Sequence, residues 1–274
     1  MNSTKYEKVQ LSKPDPEVYP NTVSKSWINI DEMSSINKFN QTFLENLISL
    51  KKKHFLGGWK KSRGDGNCYY RSVISTYFLT VTNPNQPIER LKNLLAQLKS
   101  LNLVTNSYDY TNSIRNLINQ ALSLLNAKYT NPIKVFEEAL ELVQNTDFDL
   151  DLIRFARLMT WEMMVKCKDD ENFSFLFLDG IDSIRYDILE MNKEGGEFSL
   201  IFLPKGLGIQ VIQYMYLENP TMSVQKFPED VLEGTIVVNI IRRENHYDIL
   251  CKIQEIEDDQ YDITEGAYYF VKYV

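Results

Sequence analysis

The chain of 274 residues has two histidines, three cysteines, no excess of positive charge and no long apolar run. With only His54 and His246, any imidazole chemistry has almost no choice of base. The cysteines, Cys68, Cys167 and Cys251, are odd in number and show no CxxC spacing. That excludes a disulfide framework or zinc ribbon and suits a reducing compartment. No HExxH, paired Cys/His set or phosphate loop is present, so no metal and no cofactor is expected. The most apolar stretch, SLIFLPKGLGIQVIQYMYL, is broken by Pro204, Lys205, Gly206 and Gly208. No segment approaches the roughly 18 apolar residues of a membrane span. The first twenty residues carry Lys, Glu, Asp and Pro in place of an apolar core, so no secretory signal is expected. A net charge of −7 disfavours nucleic acid, whose affinity comes from Lys and Arg on phosphates. It is compatible with a basic protein partner. These absences lead to the expectation of a monomer in the cytoplasm or nucleus.

What is present is ordinary in amount and particular in order. At 43% hydrophobic and 24% charged, the composition is that of a globular chain able to bury a core without disulfides. Residues 1–34 are mostly polar, with Pro14, Pro16 and Pro20, and read as a flexible arm able to dock on the body or on a partner. From Asp31 a helical period begins, through Ile36, Phe39, Phe43, Leu47 and Leu50, and ends at the basic run 51–54. Gly57-Gly58 breaks it. Lys51, Lys52, Lys53, Lys60, Lys61 and Arg63 suit a solvated face or, more pointedly, a positive approach to the turn at 64–67. Helical spacing returns over 68–78, 88–101, 113–128, 132–144, 149–168 and 182–191. Then β-branched and aromatic runs of strand length take over at 198–203, 208–214, 235–241 and 247–253. A late run, 267–274, adds a candidate edge strand beside an acidic segment at 255–265. Helices in the first two thirds and a mostly antiparallel sheet in the last third make an α+β fold. The domain is expected over 35–252, with a helical region at 88–145 and an acidic tail at 253–274.

The chemistry gathers at GDGNCYYRS, 64–72. Cys68 stands between a glycine-bearing turn and a helix start, where unpaired N–H groups and the helix dipole favour a negatively charged sulfur. Gly64 and Gly66 let the backbone turn sharply, so that amides from about Asp65 to Cys68 can face the sulfur as an oxyanion hole. A buried structural cysteine is the bland alternative. His54 lies in a lysine-rich helix end and reads as solvated, which leaves His246 as the base. In a strand, residues i and i+2 share a face, so Asp248 can accept from the His246 ring and fix its tautomer. A surface histidine beside an ordinary strand aspartate is the competing reading. Cys167 and Cys251 read as inert packing residues.

Together these stretches resemble a known family. GDGNCYYRS is similar to the Asp-Gly-Asn-Cys box of the OTU (ovarian tumour) cysteine proteases, and more narrowly of their otubain branch. NHYDILCK at 245–252 is similar to the otubain second box. RFARLMTWEMM at 154–164, LDGIDSIRYDILEM at 178–191 and IFLPKGLGIQVIQYMY at 201–216 follow in the otubain order. The resemblance implies a papain-like OTU fold with Cys68 as nucleophile and His246 as general base and acid. It implies that Asp248 orients the histidine and that Asp65 shapes the oxyanion turn. The implied reaction is hydrolysis of the isopeptide bond at the ubiquitin C-terminal glycine, members often preferring polyubiquitin chains that mark proteins for the proteasome. The implied partners are ubiquitin, its chains and ubiquitin-conjugating enzymes. A non-catalytic ubiquitin or conjugating-enzyme binder on the same fold, and a thiol hydrolase for another ubiquitin-like modifier, stay open. Tyr69 stands where the box has Phe, and Glu244-Asn245 where Pro-Gly precedes the histidine.

Overall fold

A computed structural model describes residues 20–35, 40–102, 108–215, 222–243, 246–256 and 260–263. Its centre is the helix α2 (Cys68–Thr82), buried along its whole length. A helix covered on all sides needs elements on both flanks. One flank is α6 (Thr146–Cys167), whose first turn is capped by Asn145 accepting from the amides of Asp147 and Phe148. The other is the sheet. Outside them lie α3 (Ile88–Ser100), with Leu91, Leu94, Leu95 and Leu98 turned inward, α4 (Tyr108–Lys128) and α5 (Pro132–Leu142). Asn131 caps α5, and Pro132 fits its first turn, where no N–H is needed.

The sheet is built from β1 (Ile28–Asn29), β2 (Leu56–Lys60), β3 (Gln210–Met215), β4 (Ser223–Phe227), β5 (Val237–Arg243), β6 (His246–Ile256) and β7 (Gln260–Ile263). Their order is β1-β2-β6-β5-β3-β4, with β7 pairing on β6. All pairs are antiparallel except β3 with β5. Alternation along β6 divides the core. Tyr247, Ile249 and Cys251 join the cluster around α2 and α6, whereas Leu250 joins Trp59, Leu56 and Ile30 on the opposite face. That second face is covered by α1 (Gln41–His54) through Phe43, Leu47 and Leu50.

The structure departs from sequence expectation in several places. The helix expected from Asp31 is a 3-10 turn, Ile30–Ser35, and then α1, whose cap is Asn40 accepting from the Phe43 amide. Of the expected arm, residues 20–34 are docked on the body: Val23, Trp27, Ile28, Ile30 and Met33 are buried, and Ile28 pairs with Trp59. Gly57-Gly58 lies inside β2, held between β1 and β6. The strand expected at 198–203 is part of α8 (Gly196–Leu207). A short apolar run does not distinguish a strand from a helix buried on several sides. Leu200 and Leu203 reach the main core while Phe202 reaches a satellite cluster with Trp161 and Met164. Gly208 closes α8 at φ +67. The helix expected at 182–191 is a 3-10 turn, Ile181–Ile184, and α7 (Arg185–Leu189). β4, between Pro220 and Pro228, was not expected. The edge strand expected at 267–274 lies outside the described residues.

Candidate active site

Cys68 is the first residue of α2, so the end of the central helix carries the thiol. The sulfur residue is 2% exposed, at the meeting of α2 with β6. The turn before it has one left-handed residue, Gly66, at φ +80. A Cβ there would stand 2.3 Å from the Asn192 carbonyl oxygen, so this position needs glycine for its conformation and for its space. Gly64 backs onto the histidine: a Cβ on it would lie 3.4 Å from His246 Nδ1.

His246 opens β6, and its ring interacts with the Cys68 side chain. Its Nε2 is 2.9 Å from Asp248 Oδ1, which leaves Nδ1 for the sulfur. Asp248 is fully buried, and its two oxygens are divided. Oδ1 takes the imidazole and the Ser62 amide at 2.8 Å, and Oδ2 takes the Arg243 guanidinium. Burial opposes a charge on Asp248, but His246, Arg243 and the Ser62 amide outweigh it and hold the carboxyl below its usual range. Burial likewise opposes a charge on His246. Its bonds to Asp248 and Cys68 prevail, raising it to about 9. The ring is therefore an imidazolium at neutral pH, the electrostatic complement of a thiolate. Antiparallel register places Arg243 directly opposite His246, a proximity that strand pairing creates.

Asp65 lies in the same turn as Cys68, yet its carboxylate faces away from the pair. It binds Arg71 with both oxygens at 2.8 Å and accepts the Asn67 amide at 3.0 Å. Burial works against the charge, but Arg71 and Asn67 hold this carboxyl below its usual range. Arg71, 1% exposed, also grips Asp149 through Nε and Nη2 and donates to the Arg63 carbonyl. For the more deeply buried Asp149, desolvation wins over Arg71 and the carboxyl is pushed up. The structure thus brings Cys68, His246 and Asp248 together and places Asp65 in the scaffold beneath them. Because Asp65 takes the Asn67 amide, that amide is withdrawn from the set expected to face an oxyanion.

Arg243, Arg71, Asp149, Arg157 and Asn67 are the contributors that residue patterns did not single out. Arg71 and Asn67 sit inside the GDGNCYYRS box and carried that much signal; the others come from remote segments. The basic approach expected at 60–63 is different in kind. Lys60 and Lys61 are buried, over the rings of Trp27 and Trp59, and burial lowers Lys60 to about 8. His54 packs edge-on against Tyr214, 5.1 Å between centroids. Cys167 and Cys251 are buried, and burial raises both thiols. Among the described residues no group of three or more His, Cys, Asp or Glu is arranged to hold a metal ion. Nor is any described helix long and apolar enough to cross a membrane.

Comparison with known proteins gives a consistent result. The family described as Peptidase C65 Otubain matches residues 21–252. "Ubiquitin thioesterase OTUB1" from Rattus norvegicus and from Homo sapiens are each 24% identical over 205 residues, 70% of this chain and 70% of theirs. Among solved structures, a ceOTUB1 ubiquitin aldehyde UBC13~Ub complex superposes with a TM-score of 0.67 at 19% identity, covering 86% of this chain and 95% of that one. The h/ceOTUB1-ubiquitin aldehyde-UBC13~Ub structure gives 0.63 at 18% identity, covering 85% and 91%. The α+β architecture is shared with both.

Proposed function

This chain belongs to the peptidase C65 otubain family, and we propose that it is a cysteine-type ubiquitin thioesterase, a deubiquitinase using Cys68, His246 and Asp248. The observation that carries the assignment of residues is the His246 ring set between Cys68 and a buried, ionised Asp248, with Nε2 2.9 Å from Oδ1. In the first half-reaction the Cys68 thiolate adds to the carbonyl carbon of the ubiquitin C-terminal glycine, and the carbonyl electron pair moves onto oxygen. The Cys68 amide, at a helix start, and the turn amides other than that of Asn67 supply donors to that oxyanion. As the tetrahedral species collapses, His246 gives its proton to the departing lysine amine, leaving a thioester. A water then attacks, His246 takes its proton, and the thiolate leaves. Asp248 stays ionised throughout and holds the ring in position.

The finer specificity is inferred from family resemblance: chains that mark proteins for the proteasome as substrate, and conjugating enzymes as second partner. The otubain structures that resemble this chain are themselves complexes with ubiquitin aldehyde and a conjugating enzyme carrying ubiquitin. A ubiquitin probe bearing a C-terminal electrophile tests the main reading. The expected result is a covalent adduct, absent in Cys68→Ala and strongly reduced in His246→Ala. Binding without an adduct would move the protein to the non-catalytic reading, and an adduct only with another modifier would reassign the substrate. A panel of di-ubiquitin linkages then tests the chain preference.

A further inference from the structure

One buried cation near the site has no carboxylate among its described hydrogen-bond partners. Arg157, on α6, is 0% exposed. Its Nη1 donates to the Ile188 carbonyl at 2.8 Å, and its Nη2 to Asn67 Oδ1 at 2.8 Å and to the Lys193 carbonyl at 2.5 Å. Its guanidinium lies 4.3 Å from the centre of the Tyr70 ring. Burying a guanidinium against neutral acceptors is costly, and well-packed apolar residues often replace buried charges without loss of stability. Packing alone is therefore a poor reason for an arginine here. What the planar fork can do, and an apolar side chain cannot, is hold separate segments at fixed angles.

Those segments are the turn before the nucleophile and the strap 188–193. Asn67, the residue preceding Cys68, has every polar group committed. Its Oδ1 takes Arg157 and the Asn192 amide, its Nδ2 donates to Asn192 Oδ1 at 2.7 Å, and its own amide goes to Asp65. Asn192 is left-handed at φ +63, an uncommon state for a residue with a side chain. Its carbonyl fills the space where Gly66 would carry a Cβ. Turn and strap are thus interlocked at side chain and backbone, with Arg157 beneath both.

Resting on the reading of this site as an acyl-transfer centre, we propose that Arg157 is a positioning residue that, through Asn67 and the 188–193 strap, fixes the turn amides facing the oxyanion. Its role is separate from that of Asp248, which acts on the histidine. The two are distinguished by what the reaction demands. Alkylation of Cys68 by iodoacetamide needs the thiolate and imidazolium but no oxyanion donors. Hydrolysis needs both.

The test compares Arg157→Met, Arg157→Lys and Asn67→Ala in the full chain. Asn67→Ala keeps the test open where loss of Arg157 prevents folding. Three readouts are taken: hydrogen exchange of peptides covering 64–68 and 188–195, iodoacetamide labelling of Cys68, and turnover of a fluorogenic ubiquitin C-terminal amide. The expected result is faster exchange in both peptides, unchanged Cys68 labelling, and a kcat ~10–100-fold lower with little change in KM, the size typical of lost supporting contacts. Lysine should not rescue Arg157, since it lacks the fork. Unchanged exchange overturns the proposal whatever the activity. So does unchanged kcat, or labelling that falls in step with kcat, which would put Arg157 on the Cys–His pair. If the wild type fails to turn over ubiquitin, the reading as a deubiquitinase falls, and the exchange comparison alone decides the positioning role.

Discussion

Two aspartates flank the reacting groups, and each is bound by an arginine. Asp248 is joined to Arg243 and Asp65 to Arg71, and both carboxyls are held below their usual range. Only Asp248 also takes the histidine. The difference lies in the backbone. On a strand, the two-residue repeat puts Asp248 on the face of His246, with Oδ2 left for Arg243. In the turn, the Asp65 carboxylate folds back onto the amide two residues ahead and onto a helix side chain. The same kind of ion pair therefore sits behind an imidazole in one place and behind a backbone turn in the other. Proximity to the nucleophile in sequence is a poor guide to which is which.

The largest effect that could break this comparison is expected from Asp248→Asn. The orienting charge is lost, and kcat should fall by ~10³–10⁴-fold with the fold retained. The pH profile should change with it. In the wild type His246 titrates at about 9 against 6.5 for a free ring. The stabilisation from its partners is complete below 6.5 and is lost as pH rises through 9, so the alkaline limb of kcat/KM should lie near 9. In Asp248→Asn that limb should move toward 6.5. Equal profiles in the two proteins would sink the assignment.

Gly66→Ala is expected next, because a Cβ at φ +80 meets the Asn192 carbonyl at 2.3 Å. The strap must move, and denaturant unfolding should show a loss of about 1–3 kcal/mol. Asp65→Asn gives the counterpart to Asp248→Asn. Arg71 keeps Asp149, so part of the cost of a broken buried pair, at most about 3 kcal/mol, should appear in stability. Its kcat should drop far less than that of Asp248→Asn. A collapse of kcat at full stability would mean that Asp65 takes part in the chemistry.

The smallest change is expected from Arg243→Met, which removes one of three donors to Asp248. The depressed carboxyl makes a contribution that is present at neutral pH and lost as pH falls through its folded value. Without Arg243 that loss should begin at higher pH, seen as weaker acid resistance in a circular-dichroism titration. Stability at neutral pH should fall by about 1 kcal/mol.

The sequence alone determined the two boxes, the helical run that follows the first box, and the candidates Cys68, His246 and Asp248. All of these are local: a turn beside a helix start, a two-residue strand repeat, a chain with two histidines to choose from. Tertiary structure decided what those residues touch. It turned Asp65 toward Arg71, set Arg243 opposite His246 by strand register, and carried Arg157 to Asn67 across 90 residues of chain. It also made a helix of 196–207 and a buried strand of Gly57-Gly58. Periodicity reports only which neighbours along the chain share a face. Which distant segment meets that face, and whether a buried charge finds its partner there, is settled by packing and desolvation once the whole core closes.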